Sequence, residues 1–344
     1  MAVEAAMGQA RRPHCLADAQ GLKPVVANLR RRLVEDAVAV FRFFSLGMAH
    51  AVPPLNPVSP NRCLTFWMIF IMLLDDNHHP ERLAMSETVP EVRHERHGHT
   101  LKIVIDNPAK KNAFVPEMMA QLSDALTLLD RDGDLWTGVL CAAGDNFTAG
   151  LDMPKFFGPG ATVKPRPEGN IDPFGLANRC RKPIVTAVQG IVFTVGIEIA
   201  LAGDIVIAAG NSRFCQMEAR RGIAPLGGAH FRYVTRAGWG NAMYHLMLCD
   251  EFTAAEAYRI GLVQEVVPAG QQTDRAMEIA RLINANAPLG VQVTKDAGRK
   301  FIAAGEEAAI AAIPEIHARV MKTEDAAEGI RSFIERRAAV FQGR

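Results

Sequence analysis

The chain has no C-x-x-C pair, no dense Lys/Arg block, no apolar run long enough to cross a bilayer and almost no net charge. Each absence removes a class of function. The 38 basic and 37 acidic side chains leave a formal charge of +1. Without a basic stretch to follow a phosphate backbone, a small molecule is expected as partner and nucleic acid is not. Cys15, Cys63, Cys141, Cys180, Cys215 and Cys249 are scattered, and no histidine stands at metal-ligand spacing from them. They read as reduced thiols of a cytoplasmic protein, mostly in the core, and as no metal site. The longest apolar run, CLTFWMIFIMLL, falls well short of the roughly 20 residues that span a membrane. It also lies too far from the N-terminus, with no small-residue cleavage site after it, to be a signal peptide. No integral membrane span is expected.

What is present divides at Met85. Residues 1–84 hold arginine-rich pieces (RRP, LRRRL), a proline-rich stretch (VPPLNPVSP) and the apolar run just described. Three readings stay open for them: a membrane-surface or partner-binding helix, a small appended domain, or upstream sequence outside the folded protein. From Met85 onward the pattern fits one α/β domain of about 260 residues. TLKIVID, TGVLCAA, PIVTAVQG and DIVIAAG read as strands, and VPEMMAQLSDALTLLD reads as an amphipathic helix. After Tyr233 the pattern turns helical. Thr253 and Glu256 form a capping-box signature at the start of TAAEAYRIGL, and VQEVVP is one strand-like interruption. The expected divisions are an N-terminal extension at 1–84, a catalytic core at 85–280 and a helical region at 281–344.

Two acids stand where apolar residues are expected. Glu198 sits inside FTVGIEIALAGD, and burying its charge unpaired would cost several kcal/mol. Glu218, in FCQMEARRGIAPLGG, also follows a strand-like run. A lone buried glutamate is most simply a hydrogen-bonded structural group, but two in such settings suit an acid and a base acting on one substrate. Gly150 in FTAGLDM and Gly196 in FTVGIE mark turns after strands. Such turns leave backbone N–H groups free to meet a developing oxyanion, although ordinary turn chemistry explains most glycines.

Taken together, these segments resemble the enoyl-CoA hydratase/isomerase (crotonase) superfamily. The similarity runs from about Met85 to Arg344 through DNPAKKNAF, NFTAGLDM, KPIVTAVQGIVFTVGIEIALAGDIVIAA, FCQMEARRGIAPLGG, FTAAEAYRIGLVQEVVP and EGIRSFIERRAAVFQGR, in family order. MSETVPEVRHERHGHTLKIVID resembles the natural opening of such an enzyme, which favours the third reading of residues 1–84.

The resemblance implies an α/β fold of repeated β-β-α turns coiled into a spiral. It also implies C-terminal helices that build a homotrimer or a dimer of trimers. The implied substrate is an acyl-CoA thioester, with no cofactor beyond the coenzyme A that the substrate carries. Carried over residue by residue, the oxyanion donors are the backbone N–H groups of Leu151 and Val195, where Val195 replaces the family's usual glycine. Glu198 holds and activates water, and Glu218 delivers the proton. Retention of both acids favours hydration of a 2-enoyl-CoA. An isomerase or another activity of the superfamily is the alternative among enzymes, and a non-catalytic acyl-CoA-binding scaffold is the alternative outside them. Gly150, Asp152, Gly196, Phe156 and Phe157 are expected at the substrate, with Phe174 a further wall candidate in the Pro/Gly-rich loop KFFGPGATVKPRPEGNIDPFG. Lys110, Lys111 and Lys155 are candidates for CoA phosphates. Asp152 and Asp204 also suit turn capping, and His230 and His245 read as structural.

Overall fold

Runs of Val, Ile and Ala with no polar alternation form strands that must be covered on both faces. The computed structural model describes residues 89–344, all within one compact unit, Ala84–Arg344. The expectation for residues 1–84 lies outside the described residues. In chain order the strands are β1 (Glu91–His97), β2 (Thr100–Asp106), β3 (Thr137–Ala142), β4 (Ile184–Val188), β5 (Ile191–Phe193), β6 (Ile205–Ala209), β7 (Arg213–Cys215), β8 (Phe252–Thr253) and β9 (Glu265–Val267). Six of them form a sheet in the order β1-β2-β3-β4-β6-β9, antiparallel at β1 and parallel elsewhere.

Helix α1 (Pro116–Arg131) lays Met118, Leu122, Leu126 and Leu129 into the larger apolar cluster, which also takes Leu101, Ile103 and Ile105 from β2. Each such side chain contributes about 1.5–3 kcal/mol by leaving water. The remaining strand residues, among them Val104, Val139, Val185 and Ile207, meet Ala276 and Ala280 in a second cluster. These alanines lie on helix α6 (Gln272–Asn284), and their small side chains let it pack closely against the sheet. The expected division at 280/281 therefore needs correction, because it cuts a helix that belongs to the core.

Strands β5, β7 and β8 form a second, three-stranded sheet. The spiral arises because β4 turns directly into β5, and β6 into β7, so each strand pair feeds both sheets. Helix α3 (Val195–Ala202) follows the first pair. A 3-10 turn (Glu218–Arg221) and helix α4 (Ala229–Leu248) follow the second. Between β4 and β5, Gly190 has φ +54°, and a Cβ there would stand 2.1 Å from the Asp145 carbonyl oxygen. Only glycine fits that corner.

Thr253 caps helix α5 (Ala254–Arg259) by accepting from the Glu256 N–H at 3.3 Å. The reciprocal arm of the capping box is missing, since the Glu256 carboxylate pairs with Arg259 instead. Beyond the core run α7 (Pro288–Ala311, broken at Gly305 with φ +80°), α8 (Ile313–Val320) and α9 (Glu324–Glu335). The C-terminal tail folds back on α9, where Asp325 accepts from the Gln342 and Gly343 N–H groups. Among the described residues no helix is long and apolar enough to cross a membrane.

Gly190→Ala is expected to destabilise the protein by about 2–4 kcal/mol, from the left-handed φ and the overpacked corner together. Denaturant titration checks this, and an unchanged midpoint would contradict the geometry.

Candidate active site

The first half of the site is built by asparagines. In DNPAKKNAF, Asn112 is fully buried with φ +55°. Its side chain accepts from the Asn107 N–H at 2.6 Å and donates to the Ala143 and Asn146 carbonyls, both at 2.7 Å. These bonds fasten the 107–114 loop to the segment after β3. The Thr148 hydroxyl adds a bond to the Asn112 carbonyl at 2.6 Å. Phe114 then donates its N–H to the Gly150 carbonyl and accepts the Asp152 N–H, each at 2.8 Å. Leu151, bracketed between the two bonds, is left with an N–H that has no acceptor among the described residues.

The second half is the start of α3. The Thr194 carbonyl accepts from the Ile197 and Glu198 N–H groups at 3.0 and 3.3 Å. The Val195 and Gly196 N–H groups are the unpaired donors that every helix start carries, with the partial positive charge of the helix axis behind them. Two glycines bring the halves together. A Cβ on Gly150 would lie 2.4 Å from Thr194 Oγ1, and one on Gly196 would lie 2.5 Å from Thr148 Cγ2. The loops thus touch where any side chain would hold them apart, which sets the Leu151 and Val195 donors on neighbouring backbones.

Val195, unusual for the family, does not crowd this space with its side chain, which is buried in the main apolar cluster. The demanding residue is the one before it. Thr194 adopts φ +51° and ψ −119°, a conformation suited to glycine and costly for a β-branched residue, of order 1–3 kcal/mol. Thr194, Asn112 and Thr148 lie within the family-like segments, but none of them stands out there as a site residue. A threonine where a strand must turn sharply into a helix was the available signal for the first.

Glu198 lies in the first turn of α3 and is 2% exposed. Its Oε1 accepts from the Ala229 N–H at 3.1 Å. Gly227 passes so close that a Cβ would meet Oε2 at 2.4 Å, and its backbone also supports the carboxylate. Burial raises the Glu198 pKa, while the Ala229 and Gly227 amides and the Arg232 charge pull it back. Glu218 opens the 3-10 turn after β7 and is 8% exposed. Its Oε1 accepts from Gln216 Nε2 at 2.9 Å, but its Oε2 has no partner among the described residues. Burial pushes its pKa up to about 7, with the nearby Glu198 charge adding to the rise. The two acids therefore share one electrostatic environment, with the Arg232 charge on the side of Glu198.

A cavity of about 260 Å³ is lined by Met119, Phe156, Pro173 and Phe174, among others. Phe174 reaches the same Gly227 position as Glu198, which joins this apolar space to the acids. Phe157, expected as a wall, does not line it and is 70% exposed. Asp152 places no side-chain bond on the helix it precedes, α2 (Met153–Phe157), and instead pairs with Lys110 at 3.2 Å. Asp204 accepts from the Ile184 N–H at 2.8 Å and pairs with Lys295, tying β4 to α7. Lys155 is exposed, and Lys111 serves through its backbone by accepting the Ala149 N–H. His245 is buried against Asp250 at 2.9 Å, and His230 is held by the Pro225 carbonyl at 2.8 Å. His230 nevertheless adjoins Ala229, whose N–H serves Glu198. Cys141, Cys180, Cys215 and Cys249 are buried and free.

Comparison with known proteins meets this geometry from another side. Residues 95–344 match the family described as Enoyl-CoA hydratase/isomerase. The chain is 35% identical over 266 residues to the enoyl-CoA hydratase EchA19 of Mycobacterium tuberculosis, covering 76% of this chain and all of that protein. It is 30% identical over 242 residues to the crotonyl-CoA hydratase of Syntrophomonas wolfei, covering 70% and 93% of the two chains. The solved structure of a probable enoyl-CoA hydratase/isomerase from Mycobacterium abscessus matches with a TM-score of 0.71 and 42% identity, over 75% of this chain and 100% of that one. With the bracketed amides and paired acids in place, the chain belongs to the enoyl-CoA hydratase/isomerase family and carries the crotonase fold.

Proposed function

We propose that the paired acids and free amides make this chain an enoyl-CoA hydratase that works as follows. The thioester oxygen of a 2-enoyl-CoA accepts from the Leu151 and Val195 N–H groups. Glu198, whose carboxylate accepts from the Ala229 N–H, takes a proton from water as the water oxygen bonds to the β-carbon. The double-bond electrons move toward the carbonyl, and the enolate oxygen gains charge at the two amides. Glu218, which burial keeps protonated up to about pH 7, gives its proton to the α-carbon. The sum is addition of H and OH across the 2,3 double bond, and proton exchange between the acids and solvent resets the pair. The observation that carries this reading is the unequal charge around the two carboxylates, with Arg232 beside Glu198 and the Glu198 carboxylate beside Glu218, since base and acid need pKa values moved apart.

Coenzyme A arrives as part of the substrate, and the acid, base and amide donors supply the chemistry without a further cofactor. The cavity beside Phe156 and Phe174 suits an apolar acyl chain, with Gly150, Asp152 and Gly196 framing the thioester end. The apolar side chains left in solvent on α7 to α9, among them Phe301, Ile313, Ile330 and Phe333, support a homotrimer or a dimer of trimers. The buried free thiols suit a cytoplasmic protein.

Glu198→Gln and Glu218→Gln are each expected to lower hydration of a 2-enoyl-CoA by at least about 100-fold, the usual scale of general acid–base catalysis. Product mass and loss of the enoyl absorbance report this. Double-bond migration of a 3-enoyl-CoA that survives Glu198→Gln, with no hydration by the parent, would contradict the hydratase.

The buried acid also predicts a pH effect on stability. With a folded pKa near 7 against an ordinary 4.5, Glu218 favours folding fully only below about pH 4.5, and that advantage is lost as pH rises through 7. Glu218→Gln never ionises. Its melting temperature should therefore exceed that of the parent more at pH 8 than at pH 5, and an equal difference at both would contradict the raised pKa.

A further inference from the structure

Tyr233 lies on α4 with no exposure at all, inside the main apolar cluster. Its hydroxyl nevertheless has no hydrogen-bond partner among the described residues. A core phenol left unpaired is worse for stability than phenylalanine, so such an atom needs an explanation. Among the other buried oxygens that share its condition are Glu218 Oε2 and Gln216 Oε1. The remaining unpaired atoms, on Trp136, Thr186 and Gln189, belong to β3, β4 and their flanks.

Placement connects the three. Tyr233 follows Ala229 by one helical turn, so it shares the α4 face whose Ala229 N–H serves Glu198. The ionisable groups whose charge reaches the phenol are Cys215 on β7, Glu218, Glu198 and Asp250. Gln216 lies between Cys215 and Glu218 in sequence and already holds the other oxygen of Glu218. None of the three free oxygens bonds another directly, so any link between them needs an intervening group. A buried water typically makes about three hydrogen bonds, and the available chemistry is complementary. The phenol donates to the water, and the water donates to Glu218 Oε2 and to Gln216 Oε1.

We propose that Gln216, Glu218 and Tyr233 hold one buried water, and that Tyr233 is through it a positioning residue for Glu218. The bond from the water fixes the carboxyl rotamer and favours the carboxylate left after proton delivery. Removing the phenol oxygen weakens that support, so the Glu218 proton is held more tightly. If hydration requires protonated Glu218, the alkaline limb of the kcat profile in Tyr233→Phe moves to higher pH. One hydrogen bond of ordinary net strength corresponds to a shift of about 0.5–1 pH unit.

The test uses the full chain. A high-resolution crystal structure of the parent should show a water within hydrogen-bonding distance of Gln216 Oε1, Glu218 Oε2 and the Tyr233 hydroxyl. Tyr233→Phe should lose that water, melt no lower than the parent and show the shifted alkaline limb with KM unchanged. A parent structure with no water there overturns the proposal, whether or not the variant folds. An unmoved pH profile in a folded, active variant overturns the positioning role. The pH readout rests on Glu218 as proton donor, whereas the water does not. A parent that binds 2-enoyl-CoA without hydrating it defeats that assignment and leaves the water to be judged by the crystal structure.

Discussion

The close approach of Gly150 to Thr194 governs the site. With 2.4 Å between a hypothetical Cβ and Thr194 Oγ1, the two loops meet only because one residue has no side chain. From that contact follow the neighbouring Leu151 and Val195 donors, the start of α3 and the depth at which Glu198 enters the core. Much of the surrounding structure holds it. The Asn107 and Asn112 side chains brace the first loop. The Thr194 N–H donates to Cys215 at 3.0 Å, anchoring the second to β7. The strained Thr194 backbone is tolerated because an acceptor on β7 and donors on α3 fix it, as expected where function requires a fixed geometry.

Fold and electrostatics meet in the two glutamates. Both are buried by the strand pairs that feed the second sheet, yet the chain treats them differently. Glu198 accepts from the Ala229 N–H and lies within reach of the Arg232 charge, whereas Glu218 accepts from Gln216 and keeps a buried oxygen with no partner among the described residues. The same burial that makes an ionised carboxylate unfavourable makes a neutral one useful as a proton donor near pH 7. In the proposed mechanism, unequal charge around them separates their roles.

Much of this was legible in the sequence because it depends on short-range chemistry. The strands in TLKIVID and PIVTAVQG, the helix at 116–131, and the two acids in apolar settings all follow from residue type and spacing. The bracing by Asn112 was not legible, because its partners Ala143 and Asn146 are about thirty residues away and nothing local shows that the loop folds onto them. The sequence drew attention to Val195, but the strain falls on Thr194, since the turn geometry and not the missing glycine decides which residue takes the positive φ. Phe156 and Phe157 are adjacent, yet a short helix turns one inward and the other to solvent. The core boundary was misplaced because periodicity alone does not tell a helix covering the sheet from one extending beyond it.

The central claim is that the Leu151 and Val195 amides polarise a bound thioester carbonyl. Difference infrared spectroscopy of a carbonyl-labelled acyl-CoA, free and bound, tests it without turnover. The account predicts a bound carbonyl stretch moved to lower frequency, and a return toward the free value in Gly150→Ala, whose added methyl group forces the loops apart. A carbonyl that keeps its solution frequency in the parent protein would contradict it.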